Sequence, residues 1–216
     1  MNKPMNMNGI IFDMDGTLVD SMPLWNNVAS SYLRKKGYLP ESNLWEALKF
    51  LSLSQGVTYI KEKYHLPETK EEIEMGINQT IEHSYFYEIP LKTGVRRYLQ
   101  LLHEHQIPMC VATATDKYLA EASLKRLDVL QYFKGILSCQ EVGCGKDDPA
   151  IFESARELLQ TEKKRTYVFE DALHAGITAK NAGFKVIGVY DESAKDDWEE
   201  LKKVADQSII SMEELV

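Results

Sequence analysis

Apolar residues along this chain follow two rhythms. Short unbroken runs have the length and continuity of strands buried on both faces: Gly9-Ile10-Ile11-Phe12, Pro108 to Thr113, Gly135 to Ser138, Tyr167 to Phe169 and Phe184 to Val189, with a weaker run at Gln207 to Ile210. Between them, apolar positions return every three or four residues, as in amphipathic helices. These segments are Val95 to His105, Tyr118 to Leu127, Ala150 to Leu159, His174 to Ala182 and Asp196 to Val204. Strand and helix in alternation predict an α/β fold built on a doubly wound parallel sheet. Ligands bind beyond the carboxyl ends of such strands, so polar residues that directly follow an apolar run carry the most weight.

From Ser21 to Glu88 the alternation stops. This stretch reads as helical throughout, over Leu24 to Lys36, Leu44 to Phe50, Val57 to Tyr64 and Lys70 to Tyr87. Pro90 and Gly94 then punctuate the return to alternating elements. The pattern predicts a core from residues 1–20 and 89–216, with a small helical domain over 21–88 inserted after the first strand.

Composition narrows the function classes. A chain of 216 residues, 44% hydrophobic and 27% charged, has the make-up of a globular protein with one α/β domain and room for a modest second one. Its formal charge of −8 gives no general attraction to nucleic acid or anionic lipid, so neither is expected as a partner. Three cysteines without CxxC spacing argue against a disulfide framework and against a zinc site. Met1 to Asn8 contains one lysine and no apolar run, and no stretch reaches membrane-spanning length, so a cytoplasmic location is expected.

Four polar clusters follow the apolar runs: Asp13-Met14-Asp15-Gly16-Thr17, Thr113-Ala114-Thr115, Gly145-Lys146 and Glu170-Asp171. Each alone has an ordinary explanation, since Asp and Gly favour turns and acidic pairs suit helix N-termini. Together they supply what phosphoryl transfer needs. A carboxylate attacking a phosphate dianion requires a metal to neutralise charge, and Asp13, Glu170 and Asp171 offer the hard oxygens that Mg²⁺ prefers. Asp13 would attack phosphorus and form an aspartyl-phosphate, and Asp15 would protonate the leaving alcohol and then activate water. Thr113 would bond a phosphoryl oxygen while Lys146 offsets its charge. Loop amides after Asp13 and Thr113, with Gly16 and Ala114 among the residues there, would form an anion-binding nest.

These residues, in this order, resemble the four motifs of the haloacid dehalogenase superfamily. The likeness extends through Leu18-Val19-Asp20-Ser21 and Phe169 to Ile177, and covers nearly the whole chain. It implies a Rossmann-like core, Mg²⁺ as cofactor, and the Asp15 main-chain carbonyl as a further metal ligand. A helical insertion after the first motif is similar to the subgroup with a C1-type cap, which contains β-phosphoglucomutase and many small-molecule phosphatases. Two departures stand out: Lys146-Asp147-Asp148-Pro149-Ala150 where Lys-Pro-x-Pro-Asp is usual, and Ala172 where Ser is common.

The retained Asp15 favours phosphate esters over carbon-halogen bonds, because a halide needs no proton on leaving. A mutase of this subgroup uses a cap His and Arg; the corresponding positions here read as Trp25 and Leu53. The expectation is therefore a phosphatase of a small phosphorylated metabolite, a sugar or polyol phosphate, with a β-phosphoglucomutase-like mutase as its alternative. A signalling receiver module is a remote alternative, opposed by the late position of Glu170-Asp171 and by the insertion. Trp25, Lys49, Ser52 and Gln55 are the candidate substrate contacts of the cap, and a monomer that opens and closes that cap is the simplest expectation.

Overall fold

Six short strands pair in one parallel ladder, which is how continuous runs of Ile, Val and Phe at its centre can be buried on both faces. The computed structural model describes residues 7–48, 51 and 53–216. Its elements are β1 (Gly9–Phe12), α1 (Met22–Lys35), α2 (Leu44–Leu48), α3 (Leu53–Tyr64), α4 (Lys70–Tyr87), α5 (Val95–Glu104), β2 (Met109–Thr113), α6 (Lys117–Arg126), β3 (Phe133–Ser138), α7 (Cys139–Val142), α8 (Ala150–Leu159), β4 (Thr166–Glu170), α9 (Leu173–Asn181), β5 (Lys185–Val189), α10 (Trp198–Val204) and β6 (Gln207–Ile209). The sheet order is β3-β2-β1-β4-β5-β6, parallel throughout, so the expected doubly wound α/β fold is observed. With β1 central, the loops after β1, β2 and β4 emerge side by side.

Register decides which side chains share a face. Ile11 lies opposite Cys110 and Val168, and with Ala112 and Val186 it packs on Ile151, Phe152 and Ala155 of α8 and on Ala175 and Ala179 of α9. On the opposite face Phe12 meets Phe169, ring centroids 4.7 Å apart, and the edge of Tyr98 from α5 at 6.5 Å. The rigid centre of the sheet is therefore the base from which β1 and β4 project their polar ends.

The expected strand over Gly135 to Ser138 begins two residues earlier, at Phe133. Helix α7 had no counterpart in the sequence pattern, because four residues are too few to show a helical period. It forms through a capping box: Ser138 accepts from the Glu141 amide, the Glu141 side chain accepts from the Ser138 amide, and Gly143 closes the helix at φ +83°.

The chain divides into two compact units, residues 1–20 with 89–216 and residues 21–88. Within the second, α4 starts on a Thr69/Glu72 capping box and presents Ile73, Ile77, Ile81 and Tyr85 at four-residue intervals, one buried stripe. Tyr32 and Leu33 of α1 and Val57 and Ile60 of α3 are buried in the same unit. Gly76 leaves room for the Tyr32 ring, which a Cβ at that position would strike. Among the described residues no helix is long and apolar enough to cross a membrane.

Candidate active site

Asp13 follows β1 directly, and its main-chain N–H donates to the Phe169 carbonyl at 2.9 Å, carrying the β1–β4 pairing one step past the strand. The chain then turns tightly. Leu18 and Val19 both donate to the Met14 carbonyl, at 2.8 and 2.9 Å, and Gly16 donates to Val19 at 3.0 Å. Gly16 stands at φ +82°, and a Cβ there would collide with the Asp171 carboxylate, so the turn requires glycine twice over.

Around this turn the first, third and fourth polar clusters meet. Lys146 Nζ donates to Asp13 Oδ1 and, at 2.6 Å, to Glu170 Oε1. The other Glu170 oxygen accepts from the amides of Asp171 and Ala172, at 3.1 and 3.4 Å. Thr17 Oγ1 donates to Asp171 Oδ1 at 3.0 Å. Asp13, Lys146, Glu170 and Asp171 are all buried.

The second cluster addresses Asp15 instead. Thr115 Oγ1 donates to Asp15 Oδ2 at 2.6 Å, Thr113 Oγ1 lies 3.4 Å from the same oxygen, and Thr113 Oγ1 also accepts from the Thr115 amide at 3.0 Å. Thr115 has no role predicted from the sequence beyond its place in the Thr113-Ala114-Thr115 cluster. The structure makes it the closer hydroxyl to Asp15.

Three carboxylates, Asp13, Glu170 and Asp171, can each turn an oxygen to within 4.8 Å of the others. Among the described residues, the ammonium that bonds this group is that of Lys146. Burial raises Asp13 well above the ordinary carboxylate range; Glu170 adds to the rise, and Lys146 only partly opposes it. Burial, and then Glu170, bring Asp171 up to about 7. Burial works against a charged Lys146, but attraction to Asp13 and Glu170 prevails and its pKa is raised. A buried, all-oxygen set with more negative than positive charge suits a hard divalent cation, and Mg²⁺ fits the donors present.

A family model described as haloacid dehalogenase-like hydrolase matches residues 10–189. The chain belongs to this family. It is 28% identical over 185 residues to a phosphorylated carbohydrates phosphatase of Thermotoga maritima, covering 84% of each chain. Against hexitol phosphatase B of Escherichia coli K12 it is 26% identical over 201 residues, covering 91% of this chain and 90% of the relative. The crystal structure of a candidate beta-phosphoglucomutase from Thermotoga maritima superposes with a TM-score of 0.84 at 25% identity, covering 96% of each chain.

In this haloacid dehalogenase-like hydrolase, the residues expected to contact substrate from the helical segment fall in the second unit. Trp25 donates its indole N–H to the Tyr85 hydroxyl at 3.1 Å and lines an apolar cavity of about 190 Å³ with Val28, Trp45, Leu48, Ile60 and Ile77. Gln55 is an exposed residue of α3. Lys49, Ser52 and the Leu53 side chain lie outside the described residues.

Proposed function

We propose that this chain is a Mg²⁺-dependent phosphatase of small phosphate monoesters, sugar or polyol phosphates, with Asp13 as covalent nucleophile. The observation that carries this reading is the buried meeting of Asp13, Glu170, Asp171 and Lys146 at the carboxyl ends of β1 and β4 and the loop before α8. The phosphatase names of the two curated relatives support the substrate class.

Asp13, Glu170, Asp171 and the Asp15 carbonyl would hold the cation. When bound, it supplies the positive charge that lets a carboxylate approach a phosphate dianion. The rest is the work of this chain's own groups. Lys146, bonded to both Asp13 and Glu170, fixes the nucleophile's orientation and keeps positive charge beside the transferring group. Asp13 attacks phosphorus as the ester oxygen departs with a proton from Asp15, leaving an aspartyl-phosphate. Asp15 then takes a proton from water as that water attacks the same phosphorus. Thr115 and Thr113 hold Asp15 on the side of the second loop, and Thr17 holds Asp171. Selection of the leaving group is assigned to the helical unit, with Trp25 and Gln55 as the residues to vary.

Phosphate release from a panel of hexose and polyol phosphates, with Mg²⁺ and with chelator, tests this reading. Release that depends on Mg²⁺ and differs across the panel is expected; none under either condition would refute it. The mutase reading draws on the resemblance to the C1-capped subgroup and on the likeness to the Thermotoga maritima structure. Interconversion of hexose phosphate isomers faster than phosphate release would establish it instead.

A further inference from the structure

Lys92 makes three hydrogen bonds in the core unit and belongs to none of the four clusters. Its Nζ donates to the Gly16 carbonyl at 2.5 Å, the Tyr190 carbonyl at 2.7 Å and Asp191 Oδ2 at 2.8 Å, which uses all three ammonium hydrogens. Its side chain is 17% exposed and that of Asp191 is 7% exposed. Asp191 is itself held, since its Oδ1 accepts from the Ser193 amide at 2.9 Å and from the Ser193 hydroxyl at 2.6 Å. Burial alone would raise the Asp191 pKa, yet the bonds from Lys92 and Ser193 bring it below its ordinary value.

The surrounding backbone aims this ammonium. The segment that returns to the core pairs with the end of the nucleophile turn: Lys92 N–H donates to Leu18 at 3.0 Å, Leu91 bridges Val19, and Asp20 N–H donates to Pro90 at 3.0 Å. Removing charges from water is costly, and an apolar contact could tie two loops as firmly. What an apolar contact could not do is fix a carbonyl. Gly16 is the residue of the turn with the greatest rotational freedom, and its carbonyl belongs to the peptide leading into Thr17, the partner of Asp171. Rotation of that peptide would disturb Asp15 on one side and Thr17 on the other.

We infer that the Lys92–Asp191 pair is a positioning device for catalysis, holding the Gly16 carbonyl so that Asp15 stays aligned as the proton donor to the leaving group. This rests on the phosphatase reading above. It has a signature that a plain structural tie lacks. p-Nitrophenolate leaves without much help from an acid, whereas a sugar alkoxide requires a proton, and kcat/KM reports the steps up to departure of the leaving group.

The experiment compares kcat/KM for p-nitrophenyl phosphate and for the best sugar phosphate in wild type, Lys92→Met and Asp191→Asn, with thermal melts of all three. Lys92→Met is expected to lose about 10²-fold on the sugar phosphate and less than about 10-fold on p-nitrophenyl phosphate. Asp191→Asn, which retains an oxygen for Ser193, should show the same bias at smaller size, and it carries the test where Lys92→Met does not fold. Equal losses on both esters, with or without a lowered melting temperature, would overturn the inference, as would failure of both variants to fold. A wild type inactive on both esters would remove the phosphatase reading and this inference with it, a failure read on the unaltered protein alone.

Discussion

The rim of the sheet and the interior of the helical unit solve different problems. At the rim, charged groups are buried and fixed by bonds from side chains and backbone: Lys146 spans two carboxylates, Glu170 takes two amides, and Thr17 and Thr115 each hold an aspartate. In the helical unit, an apolar cavity of about 190 Å³ is shaped by Trp25, Trp45 and aliphatic side chains on four helices. The first arrangement has a direction for every bond and tolerates little substitution. The second depends on volume and shape, and replacement by a residue of similar size costs little. In the proposed function, chemistry belongs to the first region and selection of the leaving group to the second.

The largest contrast is expected from Asp13→Asn. It keeps shape and hydrogen bonding but cannot form an acyl phosphate, so phosphate release should fall by more than about 10⁴-fold while the melting temperature holds. Next comes Lys146→Met, which leaves three buried carboxylates without their ammonium. The metal-free protein should lose about 3 kcal/mol on chemical denaturation, and Mg²⁺ should recover part of it.

The pH dependence follows from Asp171, raised to about 7, and from Asp13, raised in the same sense. A carboxyl whose folded-state pKa lies above its unfolded value favours the fold below the unfolded value and ceases to as pH rises through the folded one. The metal-free protein should therefore lose stability between the ordinary carboxylate range and about pH 7. Cation and proton compete for these oxygens, so the melting-temperature gain on adding Mg²⁺ should be larger at about pH 8 than at about pH 6. An equal gain at both would remove Asp171 from the cation site. The smallest effect belongs to the helical unit. Trp25→Phe removes the bond to Tyr85 and should cost about 1 kcal/mol, a shift of about 2–4 °C in melting temperature, with Mg²⁺ affinity unchanged.

The same contrast explains what could be read from the sequence. Asp13, Lys146, Glu170 and Asp171 were identifiable because each directly follows, or lies close behind, an unbroken apolar run, and parallel topology gathers such positions. Lys92 was missed because its partners, Gly16, Tyr190 and Asp191, are 76 to 99 residues away and no local period links them. Its one local sign is a lysine between Leu91 and Gly94, where the chain re-enters the core. Thr115 was visible as a hydroxyl near a strand end, but its bond to Asp15 depends on the paths of two loops. The interior of the helical unit was legible only as periodicity: the Ile73, Ile77, Ile81 and Tyr85 stripe follows from spacing, whereas the bond between Trp25 and Tyr85 depends on how α1 and α4 cross.

The central claim is that Asp13 carries the phosphoryl group during turnover. Quenching the Mg²⁺-loaded enzyme with acid during turnover, reducing with borohydride and sequencing its peptides by mass spectrometry tests it directly, because an aspartyl-phosphate is reduced to homoserine. Homoserine is expected at position 13, dependent on substrate and absent in Asp13→Asn. Steady phosphate release with position 13 unmodified, or with the label at another carboxylate, would contradict it.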